Sequence, residues 1–229
     1  MINLSIVIPC YNEGQNIIPL FNKIEDLLKV NSDIEFIIVN IGSVDDTRIN
    51  KKIVVHAIKK NIGYGYGIMS GVKIAKGEYI GWCHADLQTE PKDVYDAYVQ
   101  NYSELSKKNV LIKGSRINRN IFDNIFTIGM SVFASIVFAR IISDINAQPK
   151  LFSKSFLKHL EDFPYDFSLD LYLLVIAKIK NYKIINHKVI LKKRIYGDAK
   201  GGGNLIGKLK LIKRTFEYIV KLRIKLWKL

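Results

Sequence analysis

The sequence predicts an α/β fold in which helices wind both faces of a mostly parallel sheet. Short apolar runs alternate along the chain with segments of helical periodicity. Those runs are continuously apolar rather than alternating, as in strands buried on both faces. With 229 residues, 48% hydrophobic and 24% charged, the chain suits one globular domain that buries a real core, which excludes disorder and fibre.

Leu4 to Ile8 is the first strand, and Ile17, Leu20, Ile24, Leu27 and Leu28 follow at helical spacing. Asn12 is placed to cap that helix, and Pro19 falls early enough in it to be tolerated. Strands are expected at Ile34 to Val39 and Ile53 to Ile58, then a helix from Tyr66 to Ala75 and a strand from Tyr79 to Cys83. After Pro91 a helix should reach about Lys107, ahead of a strand at Val110 to Lys113. The uncharged stretch from Asn124 to Ala139 is shorter than the about 20 residues needed to cross a membrane. It reads as a core helix or as one lying along a membrane. A strand at Pro149 to Ser153, a helix at Leu169 to Lys180 and a strand at Ile184 to Leu191 complete a domain over residues 1–200. Glycines 201, 202 and 203 form a hinge into a separate tail, 201–229. In a doubly wound sheet, ligands bind beyond the carboxyl ends of the strands, which directs attention to the residues after Ile8, Val39, Ile58 and Cys83.

Met1 leads into an apolar run with no basic flank and no small-residue cleavage site, so no signal peptide is expected and the chain reads as cytoplasmic. Cys10 and Cys83 each lie near a strand end, as buried reduced thiols rather than a disulfide framework. The net charge of +14 is concentrated in residues 183–229, where fourteen Lys/Arg face only Asp198 and Glu217, a net +12. Within the tail Leu205, Leu209, Ile212, Phe216, Ile219 and Val220 recur at helical spacing among Lys and Arg, with Trp227 near the end. This is the pattern of a basic amphipathic helix on an anionic membrane surface, where each basic residue contributes about 1 kcal/mol. A helix packed on the domain with a solvated basic face fits the same spacing. The interleaved residues are aliphatic rather than stacking aromatics, which argues against nucleic acid as the partner.

Four segments in a fixed order carry chemistry. They are Ser5-Ile-Val-Ile-Pro-Cys-Tyr-Asn-Glu13, then Ile37-Ile-Val-Asn-Ile-Gly-Ser-Val-Asp-Asp-Thr47, then Asn61-Ile-Gly-Tyr-Gly-Tyr-Gly67 running on to His84-Ala-Asp-Leu-Gln88, and finally Arg194-Ile-Tyr-Gly-Asp-Ala-Lys200. Together they resemble the family 2 glycosyltransferases of the Rossmann-like GT-A fold, and within them the dolichol- or polyprenyl-phosphate sugar synthase branch. The second segment matches the family's Asp-Asp-Gly-Ser-x-Asp-x-Thr at Gly42, Ser43, Asp45 and Thr47. The third occupies the place of its metal-binding Asp-x-Asp, and the fourth resembles Arg-x-x-Gly-Glu-Ser-Lys.

The resemblance implies inverting transfer from a nucleotide sugar to a polyprenyl phosphate or another membrane-associated acceptor, peripheral on the inner face of a membrane. Such transfer needs charge placed against a leaving diphosphate, which a divalent cation, Mn²⁺ or Mg²⁺, supplies with help from Lys or Arg. By the same resemblance Asp86 is the foremost metal ligand, with His84 and Gln88 beside it. Donor contacts are expected from Pro9, Tyr11, Glu13, Asn40, Ser43, Asp45, Gly65, Ala85, Arg194 and Lys200. Gly65 would permit close backbone approach to the donor. Arg116 matches an arginine that faces the active site in the branch.

A hydroxyl acceptor requires a general base, for which Asp170 in Phe167-Ser-Leu-Asp170 ranks ahead of Asp144, whereas a lipid phosphate requires none. Two positions depart from the family. His84 replaces the first carboxylate of the metal motif, which removes one negative charge and suits Mn²⁺ better than Mg²⁺. Asn40-Ile41 replaces a pair of Asp that holds base and ribose. A soluble saccharide acceptor, a catalytically silent nucleotide-sugar-binding protein and a homo-oligomer therefore stay open. Nucleotidyl transfer lacks its Gly-rich Arg-Lys signature near the first strand.

Overall fold

The computed structural model describes residues 1–41, 53–117, 121–194 and 205–227. Strand β1 (Leu4–Cys10) pairs in parallel with β2 (Ile34–Ile41), from Leu4 opposite Ile34 to Cys10 opposite Asn40. β3 (Ile53–Ile58) extends the sheet beyond β2, also in parallel. On the other side of β1 lies parallel β4 (Tyr79–Trp82). β6 (Lys150–Ser153) is inserted between β4 and β5 (Val110–Ile117), antiparallel to both, and β7 (Lys183–Ile190) lies parallel to β5 at the edge. The seven-stranded order is therefore β3-β2-β1-β4-β6-β5-β7. Leu4 to Ile8 and Ile34 to Val39 are buried without interruption, as strands covered on both faces must be.

Helices α1 (Gly14–Val30) and α3 (Pro91–Gln100) cover one face, where Leu20, Ile24, Val94 and Ala97 join Ile6 and Phe36 in one core. Helices α2 (Tyr64–Ile74), α5 (Ile121–Phe138), α6 (Ser168–Ile179) and α7 (Leu205–Trp227) cover the other, around Trp82, Phe152 and Leu171. α2 lies flush on the sheet because glycines face it. A Cβ at Gly67 would stand 2.3 Å from Ile41 Cδ1, and one at Gly71 2.6 Å from Val7 Cγ1.

Several local expectations are corrected. α1 starts at Gly14 with Glu13 at the cap position; Asn12 lies outside it with φ of 51° and is not the cap. Pro19 consequently sits inside the helix, in its second turn. The helix expected to reach Lys107 stops at Gln100 and resumes as the short α4 (Tyr102–Leu105), because Asn101 leaves helical geometry. β5 runs on past Lys113 to Ile117. Cys10 and Cys83 are free and buried, and burial pushes the Cys83 thiol well up.

α7 packs against α5 and α6. Ile219 and Leu222 are buried there, and the Phe216 ring stacks on Phe133 at 4.4 Å. Val220, Ile224 and Trp227 remain exposed. Among the described residues no helix is long and apolar enough to cross a membrane. Ser43, Asp45, Lys200 and the glycine hinge at 201–203 lie outside the described residues.

Candidate functional site

The carboxyl ends of β1 and β4 open on a cavity of about 440 Å³. Pro9, Tyr11 and Glu13 enter it from the end of β1, and His84, Ala85, Asp86 and Gln88 from the turn after β4. Arg194 reaches it from the segment after β7. The switch-point expectation and the motif residues after β1 and β4, with Arg194, thus converge on one place. Asn40 does not line the cavity; Ile41, the last residue of β2, does. Gly65 does not line it either. A Cβ there would come within 2.3 Å of the Pro164 carbonyl oxygen, so glycine is required by the 164–166 backbone rather than by a donor. Gly63, which does line the cavity, has φ of +135°, and a Cβ there would meet the Tyr165 carbonyl oxygen at 2.2 Å.

Asp86 is 5% exposed and fully engaged. Its Oδ1 accepts from the Gln88 backbone N–H at 3.1 Å and its Oδ2 from an Arg194 guanidinium nitrogen at 2.7 Å. The other terminal nitrogen of Arg194 stands 3.6 Å from Glu13 Oε1. Arg194 is delivered by a backbone clasp: Lys192 N–H donates to the Gln88 carbonyl at 3.0 Å, and Gln88 Nε2 donates to the Lys192 carbonyl at 3.3 Å. The Lys192 ammonium also donates to Glu90. Asp86 does not cap α3, because Glu90 and Asp93 form that helix's reciprocal capping box.

The two carboxylates thus already hold a cation, the guanidinium of Arg194, and this is the donor chemistry a divalent ion requires. Among the described residues no three His, Cys, Asp or Glu side chains cluster as a metal cage. A hard divalent cation bound by one or two carboxylates and completed by phosphate oxygens and water needs no such cage. The residues present fit that kind of ion.

Behind the cavity wall lies a buried polar network. The Tyr64 hydroxyl is 3.0 Å from His84 Nε2 and 3.4 Å from Asp170 Oδ2, and it accepts from Gln148 Nε2 at 3.0 Å. Gln148 Nε2 also donates to both Asp170 oxygens, at 3.3 and 3.2 Å. Lys150, completely buried, pairs with Asp170 at 3.4 Å and donates to the carbonyl of Ile145 at 3.0 Å. Asp170 is itself 1% exposed and does not line the cavity. Burial, reinforced by Lys150 and Arg116, holds the His84 imidazole below its usual range in spite of Asp86 and Asp170. Burial likewise pushes the Tyr64 phenol well up, helped by the Asp170 charge.

Arg116 does not face this cavity. It lines a neighbouring groove of about 710 Å³ along α5, and Asp144 takes up its charge. Asp144 accepts from the Arg116 backbone N–H at 2.8 Å and from its Nε at 2.9 Å. Burial would raise the Asp144 carboxyl, but the Arg116 bonds and charge outweigh it and hold the group below its usual value.

Tyr64, Asp166, Phe167 and Arg214 line the cavity without a forecast role in the sequence. Phe167 stacks on Tyr64 at 4.5 Å. Arg214 comes from α7, and its Nε stands 3.4 Å from Asp166 Oδ2. The glycines around Tyr64 point to a backbone role for that segment, and Arg214 is one basic residue among many in the tail. Nothing in its spacing marks it as a residue that turns to the cavity.

The family model "Glycosyl transferase family 2" matches residues 5–99. A dodecaprenyl-phosphate galacturonate synthase of Rhizobium johnstonii is 29% identical over 129 residues, covering 52% of this chain and 37% of that protein. An undecaprenyl-phosphate 4-deoxy-4-formamido-L-arabinose transferase of Pseudomonas savastanoi is 33% identical over 101 residues, covering 40% and 30%. The matched stretch thus spans about a third of the length of these curated relatives. Among solved structures, glucosyl-3-phosphoglycerate synthase from Mycobacterium tuberculosis with Mn²⁺, uridine-diphosphate-glucose and phosphoglyceric acid superposes with a TM-score of 0.70. At 16% identity, covering 96% of this chain and 79% of that one, the likeness concerns the fold, which is GT-A. Over residues 5–99 the chain is thus similar to glycosyl transferase family 2, and its fold as a whole is that of the GT-A structures.

Proposed function

We propose that the chain transfers a sugar, with inversion, from a nucleotide-sugar donor in the β1/β4 cavity to a polyprenyl phosphate or a like membrane-associated acceptor. The observation that carries this reading is the Asp86–Arg194–Glu13 arrangement at the switch point. It supplies carboxylates for a cation and a guanidinium for phosphate oxygens within one cavity. Asp86 would hold a divalent ion, with His84 and Gln88 beside it, and that ion would supply the charge that neutralises the leaving diphosphate. Mn²⁺ in the similar glucosyl-3-phosphoglycerate synthase supports a cation of this kind. Arg194 would exchange Asp86 for the diphosphate, and Pro9, Tyr11, Ala85 and the flat ring of Phe167 would bound the donor.

An acceptor that is already anionic is favoured by the acidic residues themselves. Glu13 and Asp86 face Arg194, and Asp166 faces Arg214, so each acidic side chain lining the cavity is engaged by an arginine. Asp170 is buried behind Tyr64 and Asp144 is tied to Arg116. A phosphate acceptor requires no base, whereas a sugar hydroxyl does. The named activities of the two curated relatives, both on polyprenyl phosphates, point the same way. α7 would dock on the inner face of an anionic membrane, with its Lys and Arg toward the headgroups.

A panel of nucleotide sugars with Mn²⁺ tests this reading. At least one should raise the melting temperature and release its diphosphate faster with polyprenyl phosphate than with soluble saccharides. Binding without turnover on any acceptor would favour the second reading, a silent binding protein, which Ile41 at the cavity wall motivates.

A further inference from the structure

The hydrogen bonds behind His84 can be assigned proton by proton. Asp170, paired with Lys150, can only accept. The Gln148 amide must therefore turn its NH₂ to Asp170, which it approaches at 3.2 Å, and the same nitrogen donates to the Tyr64 hydroxyl. Tyr64 has one proton left to place. Given to His84, it would leave two sets of lone pairs facing each other across the 3.4 Å to Asp170 Oδ2. Given to Asp170, it satisfies that contact, and the second Tyr64 lone pair then accepts from His84 Nε2–H at 3.0 Å. Only the second arrangement puts a proton in every contact.

We infer that Tyr64, anchored by Asp170 and Gln148, is a positioning residue that fixes His84 as its Nε2–H tautomer and leaves Nδ1 as the nitrogen that serves the cavity as a neutral donor. His84 lines the cavity two residues from Asp86, on the same turn. A ligating imidazole ordinarily gives its other N–H to an oxygen behind it, which sets ring orientation and basicity. Tyr64 supplies that oxygen, and Asp170 polarises it through the hydroxyl. Its ring is held independently of the bond: it stacks on Phe167, and the turn that bears it is pressed onto 164–166 at Gly63 and Gly65. The Asp170 carboxylate, on this account, acts through Tyr64 rather than on a substrate. A nitrogen with one carboxylate instead of two carboxylates shifts the site from Mg²⁺ toward Mn²⁺.

The inference rests on the proposed cation at Asp86, and the experiment separates the two. In the intact protein, long-range ¹H–¹⁵N correlation spectra of the metal-free form should show His84 with the proton on Nε2. In a Mn²⁺ titration followed by electron paramagnetic resonance, Tyr64→Phe, which keeps the stacked ring, should weaken binding about 10- to 100-fold and weaken Mg²⁺ binding less. The tautomer signal should become mixed in the same variant. A proton on Nδ1 in the wild type, or unchanged Mn²⁺ affinity in a folded Tyr64→Phe protein, would overturn the inference. If Asp86→Ala still abolishes Mn²⁺ binding in that case, the cation site survives without it; if the wild type binds no Mn²⁺, both fall.

Discussion

Lys113 and Lys150 stand opposite each other on β5 and β6, with exposures of 2% and 0%. Two ammonium groups so placed are costly, and the partners at hand are few: carbonyl oxygens, Asp170, and Asp144, which is shared with Arg116. Burial, with the neighbouring Lys150 charge, brings Lys113 down from 10.5 to about 8. The folded state therefore releases this proton at a lower pH than the unfolded chain. Below pH 8 both states carry the charge and the full penalty applies; between about 8 and 10.5 the unfolded chain binds more protons, and stability rises with pH. Lys150 is shifted in the same direction. Lys113→Met should accordingly stabilise the protein by about 1–3 kcal/mol at pH 7 and by much less near pH 10.5, as read from thermal unfolding at the two pH values. Equal gains at both would mean that the charge is not what costs.

At the scale of elements, α7 joins two proposed surfaces. Its buried side, Ile219 and Leu222, fixes it to α5 and α6, while Arg214 turns to the cavity and Val220, Ile224 and Trp227 stay exposed among basic residues. Arg223 lies over the Trp227 ring at 5.6 Å. If this side docks on anionic lipid, replacing Lys221 and Arg223 together by Gln should weaken partition to phosphatidylglycerol vesicles roughly 30-fold, about 2 kcal/mol, with the wild-type affinity falling as salt rises. Salt-independent or unchanged partition in a sedimentation assay would remove the docking role. The central strands were legible because β1 and β2 are apolar at every buried position except Ser5 and Glu35, which leaves little choice of structure. The reversed β6 was not, since a four-residue strand, Lys150 to Ser153, carries no direction in its sequence. The α3/α4 break at Asn101 lacked a Gly or Pro to announce it, and Asn12 looked like a cap only because its side chain suits one. Motif residues after β1 and β4 reached the cavity as their order implied. The pairs Arg116–Asp144 and Tyr64–Asp170 span 28 and 106 residues, and only folding brings them together.

For the molecule as a whole, the fold places acidic and basic groups in opposition at one point. Two carboxylates from different strand ends, Glu13 after β1 and Asp86 after β4, meet a guanidinium delivered by the chain beyond β7. The excess positive charge of residues 183–229 adds a long-range field that favours anionic donor and acceptor alike. His84 lowers the negative charge of the site by one relative to a paired carboxylate, so the proposed cation would lean the more heavily on Asp86. The most direct measurement is the rate of nucleoside diphosphate release from the preferred nucleotide sugar with Mn²⁺, in wild type and in Asp86→Ala. The account predicts a loss of at least about 100-fold in the variant, comparable to removing Mn²⁺ with chelator from the wild type. Persistent metal-dependent release in Asp86→Ala would contradict it.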